Sequence, residues 1–485
     1  MLTHILYTFM IVVNNFILWY VVAMSSINII QVLIAIVTTP IYIRKARHQE
    51  LRLMSISKNM IPMSLLVPAH NEEVTIVESI KSLLNMNYIN FEVIVINDGS
   101  TDKTLDAVIG AFNLNKIIYP VREQLPTQKV LDIYYNPDLP RLYVIDKENG
   151  GKSDALNAGI NLSHYPYIVS IDADSLLNPD ALLRIAMAFI QDKYAIAVGG
   201  LLRVSNGCTI ENGKVIKTGL PHKFWPLLQI IEYFRSFLVG RIGWSILKSL
   251  PIISGAFGAF KKDVVLRVDG YTTGTLGEDM DLVIKLHRYM RLKKYKYQVS
   301  FMPDPVCWTQ VPDTLNILFR QRRRWQIGLM NVLFRNKDMI LNPRFGVLGM
   351  IAMPHQWMFE TMAPVVEILG YFTIPLAYYF NILSLQSMIL FFLASFAFGV
   401  IVSIGSLLVE DFTNSNYISV KEFIILSLLS IAENLFYRQM TVFFRLRGIM
   451  SYHKFKHSWG VMTRQKFSGA EKTTENNTEK NNLDK

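Results

Sequence analysis

Three apolar runs, residues 5–43, 350–380 and 384–409, constrain this chain more than any other feature. A helix rises 1.5 Å per residue, so about 20 apolar residues cross about 30 Å of hydrocarbon. Each run is long enough, and no soluble domain needs helices of that length and texture. In the first run, Asn14 and Asn15 leave only residues 5–13 ahead of them, too few to cross. One span near residues 16–39 is therefore expected. It has neither a basic leader nor a small-residue cleavage site, which marks it as a retained anchor. Arg44, Lys45, Arg47, Arg52 and Lys58 follow it and place the cytoplasmic side there, with the N-terminus outside.

The formal charge of +11 over 485 residues raises the question of nucleic acid. The basic residues cluster beside the apolar runs, however, where anionic headgroups and the positive-inside rule account for them, so the expected partner is a lipid bilayer and no nucleic acid. Cys208 and Cys307 lie far apart without metal-ligand spacing, which excludes a disulfide framework or a zinc site.

From Pro62 the texture changes to short β-branched runs alternating with helical patterns, the mark of an α/β domain with a mostly parallel sheet. Strands are expected at residues 63–67, 91–97, 142–145, 167–171 and 196–202, and helices at 73–84, 101–111, 152–162 and 179–190. After Trp225, Leu227, Ile230, Ile231, Phe234 and Leu238 share a face that Glu232 and Arg235 avoid, which predicts an interfacial helix. The expected organisation is an anchor (1–43), a basic cytoplasmic linker (44–61), a catalytic domain with interfacial helices (62–335) and two spans (345–410). A basic helical segment (420–470) and a polar, disordered tail (471–485) complete it. Residues 420–470 are expected to be helical, interfacial or a third span; because a third crossing would put the basic residues after 438 outside, residues 420–450 are read as helical on or within the cytoplasmic side of the membrane part.

This placement brings six polar clusters to strand ends or helix starts, where open α/β sheets bind ligands. Pro68, Ala69 and Glu72 lie in Val-Pro-Ala-His-Asn-Glu-Glu after the first strand, and Glu72 can aim over the sheet edge. Asp98, in Asn-Asp-Gly-Ser, can accept hydrogen bonds from a nucleoside. In Asn-Gly-Gly-Lys-Ser-Asp, Lys152 supplies a cation for a diphosphate and Asp154 follows on the opening helical turn. Asp172 and Asp174, alternate residues where a strand becomes a loop, are hard oxygen donors suited to Mg²⁺ or Mn²⁺ against a diphosphate. Glu278 and Asp279 form an acid pair in which like-charge repulsion can raise a pKa toward that of a general base. Gln321, Arg324 and Trp325 lie in Arg-Gln-Arg-Arg-Arg-Trp, where arginine forks suit a diphosphate and the indole suits a sugar face. Read singly, each cluster is also an ordinary cap, turn or headgroup-level helix.

Taken together and in this order, from about Met63 to Trp325, the motifs resemble the processive family 2 glycosyltransferases, the group of the cellulose, chitin, hyaluronan and poly-N-acetylglucosamine synthases. The resemblance implies a GT-A nucleotide-diphosphosugar domain with inverting chemistry and a Mg²⁺ or Mn²⁺ ion. It assigns Asp98, Lys152 and Asp154 to the nucleotide, Asp172 and Asp174 to nucleotide and metal, and Asp279 to deprotonation of the acceptor hydroxyl. It gives Gln321, Arg324 and Trp325 to the diphosphate and acceptor sugar, and places Ser254 and Gly255 in an acceptor-contacting loop, where the sequence departs from the cellulose synthase form. Residues 459–466 look loosely like a gating loop. The implied protein is a multi-pass enzyme of the cell membrane with a cytoplasmic catalytic domain. It would use UDP-GlcNAc or UDP-Glc, extend a growing β-linked glycan, export it through its own helices and associate with accessory export subunits. A non-processive enzyme that adds one sugar to a membrane lipid is the alternative, and the Gln-x-x-Arg-Trp element with spans behind it favours the synthase. An idle scaffold is disfavoured by the intact acids.

Overall fold

The run Phe91–Asp98 carries apolar residues on both faces from Val93 to Ile96 and has to be covered on both, and all eight of its residues are buried. In the computed structural model, which describes residues 2–47, 60–211, 213–413 and 418–455, it is β2 of a ten-stranded sheet. With β1 (Met63–Ala69), β5 (Leu142–Lys147) and β6 (Tyr167–Ile171) it forms a parallel block in the order β5-β2-β1-β6. Met63 pairs with both Phe91 and Tyr167, so the C-terminal ends of β1, β2 and β6 fall along one edge. Beyond β6 come β11 (Phe257–Lys261), β8 (Ala195–Val204), β12 (Gln298–Thr309) and β7 (Leu176–Leu177). At the other side lie β4 (Val130–Tyr135) and β3 (Asn115–Ile117), while β9 (Thr209–Glu211) and β10 (Lys214–Lys217) pair in a separate two-stranded sheet. Only β4, β7 and β11 run against the rest, so the sheet is mixed and mostly parallel.

The helices Ile76–Leu84 and Thr104–Phe112 begin three residues later than the apolar pattern suggests. Side chains divert the backbone at both starts. The Asn71 Oδ1 accepts from the Thr101 amide at 2.8 Å, and Asp102 accepts from the amides of Thr104 at 2.9 Å and Glu73 at 3.2 Å. These bonds knit the two turns into one layer above the sheet edge and delay the helical ladder.

The N-terminal helix contains the expected span and extends beyond it at both ends. It runs unbroken from Leu2 to Arg47, and the stretch apolar and long enough to cross is Tyr7–Arg44. Asn14 and Asn15 cost a helix only tenths of a kcal/mol each, too little to start it at residue 16. Leu385–Thr413 is the second unbroken candidate span. The expected run 350–380 is instead a pair of helices, Leu348–Thr361 and Ala363–Tyr379, bent by 44° at their junction, which makes a third span only if the pair counts as one. Val420–Ala432, Glu433–Tyr437 and Arg438–Met450 follow one another as helix, opened by a capping box between Ser419 and Glu422. Arg52, Lys58, residues 459–466 and the tail 471–485 lie outside the described residues.

The segment after Trp225 is helical, as expected. Phe224–Tyr233, Phe234–Val239 and Gly240–Ile246 form one helical rod with a π-turn in its middle. Its apolar face packs on β8, and its charges are met by protein as well: Glu232 pairs with Arg322 at 2.5 Å, and Arg235 with Glu433 at 2.9 Å. The rod lies between the sheet and the apolar helices, and ion-pair partners from later in the chain meet its charged side.

Candidate active site

Where β1, β2, β5 and β6 end, Ala69, Asp98, Lys147 and Asp172 arrive within one layer. Lys147 is fully buried and bridges two acids, the Asp98 Oδ1 at 2.8 Å and the Asp154 Oδ1 at 2.5 Å. Asp98 also accepts from the amides of Gly150 at 2.9 Å and Gly151 at 2.7 Å. Asp154 is further engaged by the Gln128 amide at 3.0 Å. Asp98 and Asp154 therefore organise the Asn-Gly-Gly-Lys loop from within. Asp98 still reaches the cavity described below, whereas Asp154 does not. Sequence reasoning missed Lys147, although a lone lysine closing an apolar strand directly before that loop is the signal that could have revealed it.

The loop presents Lys152 on the opening turn of its helix. Its ammonium contacts the Asp172 carboxylate and lies 3.7 Å from Glu278. Burial lowers the pKa of Lys152, but Asp172, Glu278 and Asp279 outweigh burial and hold it above the ordinary lysine value. Gly255 permits this approach, since a Cβ there would stand 2.8 Å from the lysine nitrogen. The Gly255 amide donates to Asp279 at 3.1 Å, so the Ser254–Gly255 loop and the acid pair are directly bonded.

Glu278 and Asp279 open the helix Glu278–Leu292. Burial above all pushes the Glu278 carboxyl up to about 7, with Lys152 pulling the other way and Asp279 adding to the rise. The helix Leu315–Arg335 lies against this turn through glycines: a Cβ on Gly277 would stand 2.8 Å from the Gly328 carbonyl, and one on Gly328 2.6 Å from that of Leu276. That contact brings Gln321, Arg324 and Trp325 to the same space. Arg324 lies close enough to Glu278 to favour its ionised form. Arg322 stacks on the Trp325 ring at 4.2 Å and is fixed by Glu232.

A cavity of about 1490 Å³ unites these groups. Pro68, Ala69, Glu72, Asp98, Lys152, Asp172, Asp174, Ser254, Gly255, Glu278, Asp279, Gln321, Arg324 and Trp325 all line it; of the residues singled out from sequence only Asp154 does not. The same space runs on between the apolar helices, past Met24 and Gln31, then Glu360, Glu367 and Tyr371, to Phe392 and Arg438. That far part carries its own ion pair, Glu367 with Arg438 at 3.0 Å.

A mostly parallel mixed sheet with an acidic, lysine-bearing cleft at its strand ends, backed by apolar helices, is the GT-A nucleotide-diphosphosugar transferase fold joined to a helical membrane part. Residues 64–237 match the family model described as Glycosyl transferase family 2, and residues 167–402 match Glycosyl transferase family group 2, so the chain carries a family 2 glycosyltransferase domain. It is 32% identical over 276 residues to poly-beta-1,6-N-acetyl-D-glucosamine synthase of Staphylococcus aureus strain COL, covering 56% of each chain. It is 30% identical over 274 residues to the enzyme of the same name in Staphylococcus epidermidis, again covering 56% of each. The chain thus spans a little over half the length of these relatives. A mannosyltransferase from Pyrobaculum calidifontis in complex with GDP-Man and Mn²⁺ is similar in structure at TM-score 0.48 and 16% identity, over 90% of this chain and 99% of that one.

Proposed function

We propose that this protein is a processive, inverting hexosyltransferase of the cell membrane. It takes sugar from UDP-GlcNAc or UDP-Glc on the cytoplasmic side and extends a β-linked polysaccharide that leaves between its own helices. The observation that carries this reading is the single cavity that joins the strand-end acids to the Gln-x-x-Arg-Trp helix and continues between the apolar helices. A one-sugar transfer to lipid has no use for a passage of that extent. The name of the staphylococcal relatives supports UDP-GlcNAc as the first donor to try.

Chemistry follows from the positions of the side chains. Asp279 takes the proton of the acceptor hydroxyl as its oxygen bonds to the anomeric carbon; the bond from that carbon to the diphosphate breaks, and UDP departs with the electron pair. Lys152 and Arg324 supply positive charge for the leaving diphosphate. Asp172 and Asp174 would hold Mg²⁺ or Mn²⁺. Their oxygens suit a hard cation, and both side chains line the cavity at the end of β6. When bound, the ion neutralises charge on the diphosphate.

The test is incubation of membranes carrying the protein with radiolabelled UDP-GlcNAc or UDP-Glc singly, with Mg²⁺ or Mn²⁺ and with EDTA. Long product that vanishes with EDTA is expected. A single-sugar lipid product would overturn processivity, and no transfer from any nucleotide sugar would overturn the reading.

A further inference from the structure

Among the described residues, the buried arginines form ion pairs with a carboxylate, with one exception. Arg203 contacts Glu410 and Arg322 contacts Glu232. Arg241, on the helix Gly240–Ile246, is just as enclosed at 4% exposure, yet its Nε and Nη1 find no hydrogen-bond partner among the described residues. It lines the cavity next to the acid pair. Its guanidinium lies over the Phe237 ring at 4.5 Å, and Phe237 in turn packs on Trp325 at 5.8 Å between ring centres. Stacking uses the flat face of the guanidinium and leaves its N–H edge to be satisfied by something else. Burial lowers the pKa of this group to about 10 while Asp279 pulls it back up, so it is charged at neutral pH and feels the same carboxylate that faces the acceptor. A buried donor edge with no acceptor costs stability, and a bound molecule with oxygens in the right place recovers it.

We propose that Arg241 is an acceptor-binding residue, which donates hydrogen bonds from Nε and Nη1 to oxygens of the sugar that carries the attacking hydroxyl. This rests on the reading of Asp279 as the base of a transfer to a glycan. A neutral, oxygen-rich sugar suits the position, because the nearby Asp279 already provides the balancing charge. Phe237 and Trp325 line the same cavity and add apolar surface beside it for a pyranose.

The full chain in lipid nanodiscs tests this with Arg241→Met, which keeps the packing on Phe237, and Arg241→Lys, which keeps charge without the fork. Binding of a labelled β-linked N-acetylglucosamine tetramer, binding of UDP, and transfer kinetics with the tetramer as acceptor are measured. Arg241→Met should raise the tetramer KM and Kd at least tenfold, with kcat and UDP affinity within twofold of the parent, and Arg241→Lys should fall between. If Arg241→Met does not fold, the lysine variant decides by the same criteria. Weakened UDP binding with unchanged tetramer binding would assign Arg241 to the diphosphate and overturn the proposal. No change in either, or no tetramer binding by the parent protein, would overturn it as well. If the parent binds the tetramer, Arg241→Met loses it, and no nucleotide sugar is ever transferred, then the transfer reading fails and the binding role stands.

Discussion

Glu278 and Asp279 are adjacent acids with different surroundings, and that difference separates their roles. Glu278 is 5% exposed and faces Lys152, whereas Asp279 is half-buried at the cavity wall and held by the Gly255 amide. A carboxyl raised from 4.5 to about 7 binds a proton in the folded state that the unfolded chain has released between those values. The corresponding stability is fully present below about pH 4.5 and is lost as pH rises through about 7, a total of up to about 3 kcal/mol. Glu278→Gln removes the ionisation. Its advantage in thermal midpoint over the parent should therefore grow from pH 5 to pH 7 and stay level above, and a constant difference would refute the buried carboxyl. Asp279→Asn keeps the side-chain shape and removes the proton acceptor. Turnover should fall by about 10²–10⁴-fold with UDP-sugar affinity preserved; loss of donor binding with turnover per bound donor intact would place Asp279 in the nucleotide site.

At the scale of elements, the site is built by strand ends meeting a loop, and Lys147 ties them. It joins the end of β5 to the end of β2 through Asp98 and to the helix Lys152–Leu162 through Asp154. Lys147→Met leaves two buried carboxylates facing each other and should destabilise by about 3–5 kcal/mol. Adding Asp98→Asn and Asp154→Asn should recover part of that loss. Thermal unfolding in detergent reads both, and an unchanged midpoint in Lys147→Met would show that the triad contributes nothing.

For the whole molecule, the question is how the α/β domain is fixed to the apolar helices. Arg203 on β8 contacts Glu410 near the end of Leu385–Thr413, and both side chains are fully buried. Removing either partner alone should cost about 3–5 kcal/mol, while Arg203→Met with Glu410→Leu should cost much less, since a buried pair exchanged for apolar volume is near neutral. A double-mutant cycle on unfolding midpoints measures the coupling, and additive losses would deny it. Orientation in the membrane is tested at Ser100, half-buried in the loop after β2. Cys208 and Cys307 are buried and can be replaced by serine to clear the background. A cysteine introduced at Ser100 should resist an impermeant thiol reagent in intact cells and react after permeabilisation; labelling of intact cells would put the domain outside.

The strands β1, β2, β5, β6 and β8 and the helix Lys152–Leu162 were legible in the sequence because apolar periodicity is a local property, and so were the acids and arginines that close them. Length and hydropathy alone marked the apolar helices of the membrane part. Local pattern could not reveal β11 and β12, whose pairing with β6 and β8 joins residues far apart in the chain. Nor could it reveal the bend after Thr361, or which partners from later in the chain the charges on the rod after Trp225 meet. Asp98 and Asp154 look like ligand groups until Lys147 is seen between them, and Arg241 is an ordinary helix residue until its surroundings are known. Residue types and their spacing determine which groups stand at strand ends. Whether a buried charge has a partner depends on contacts between distant segments, and those exist only once the chain has folded.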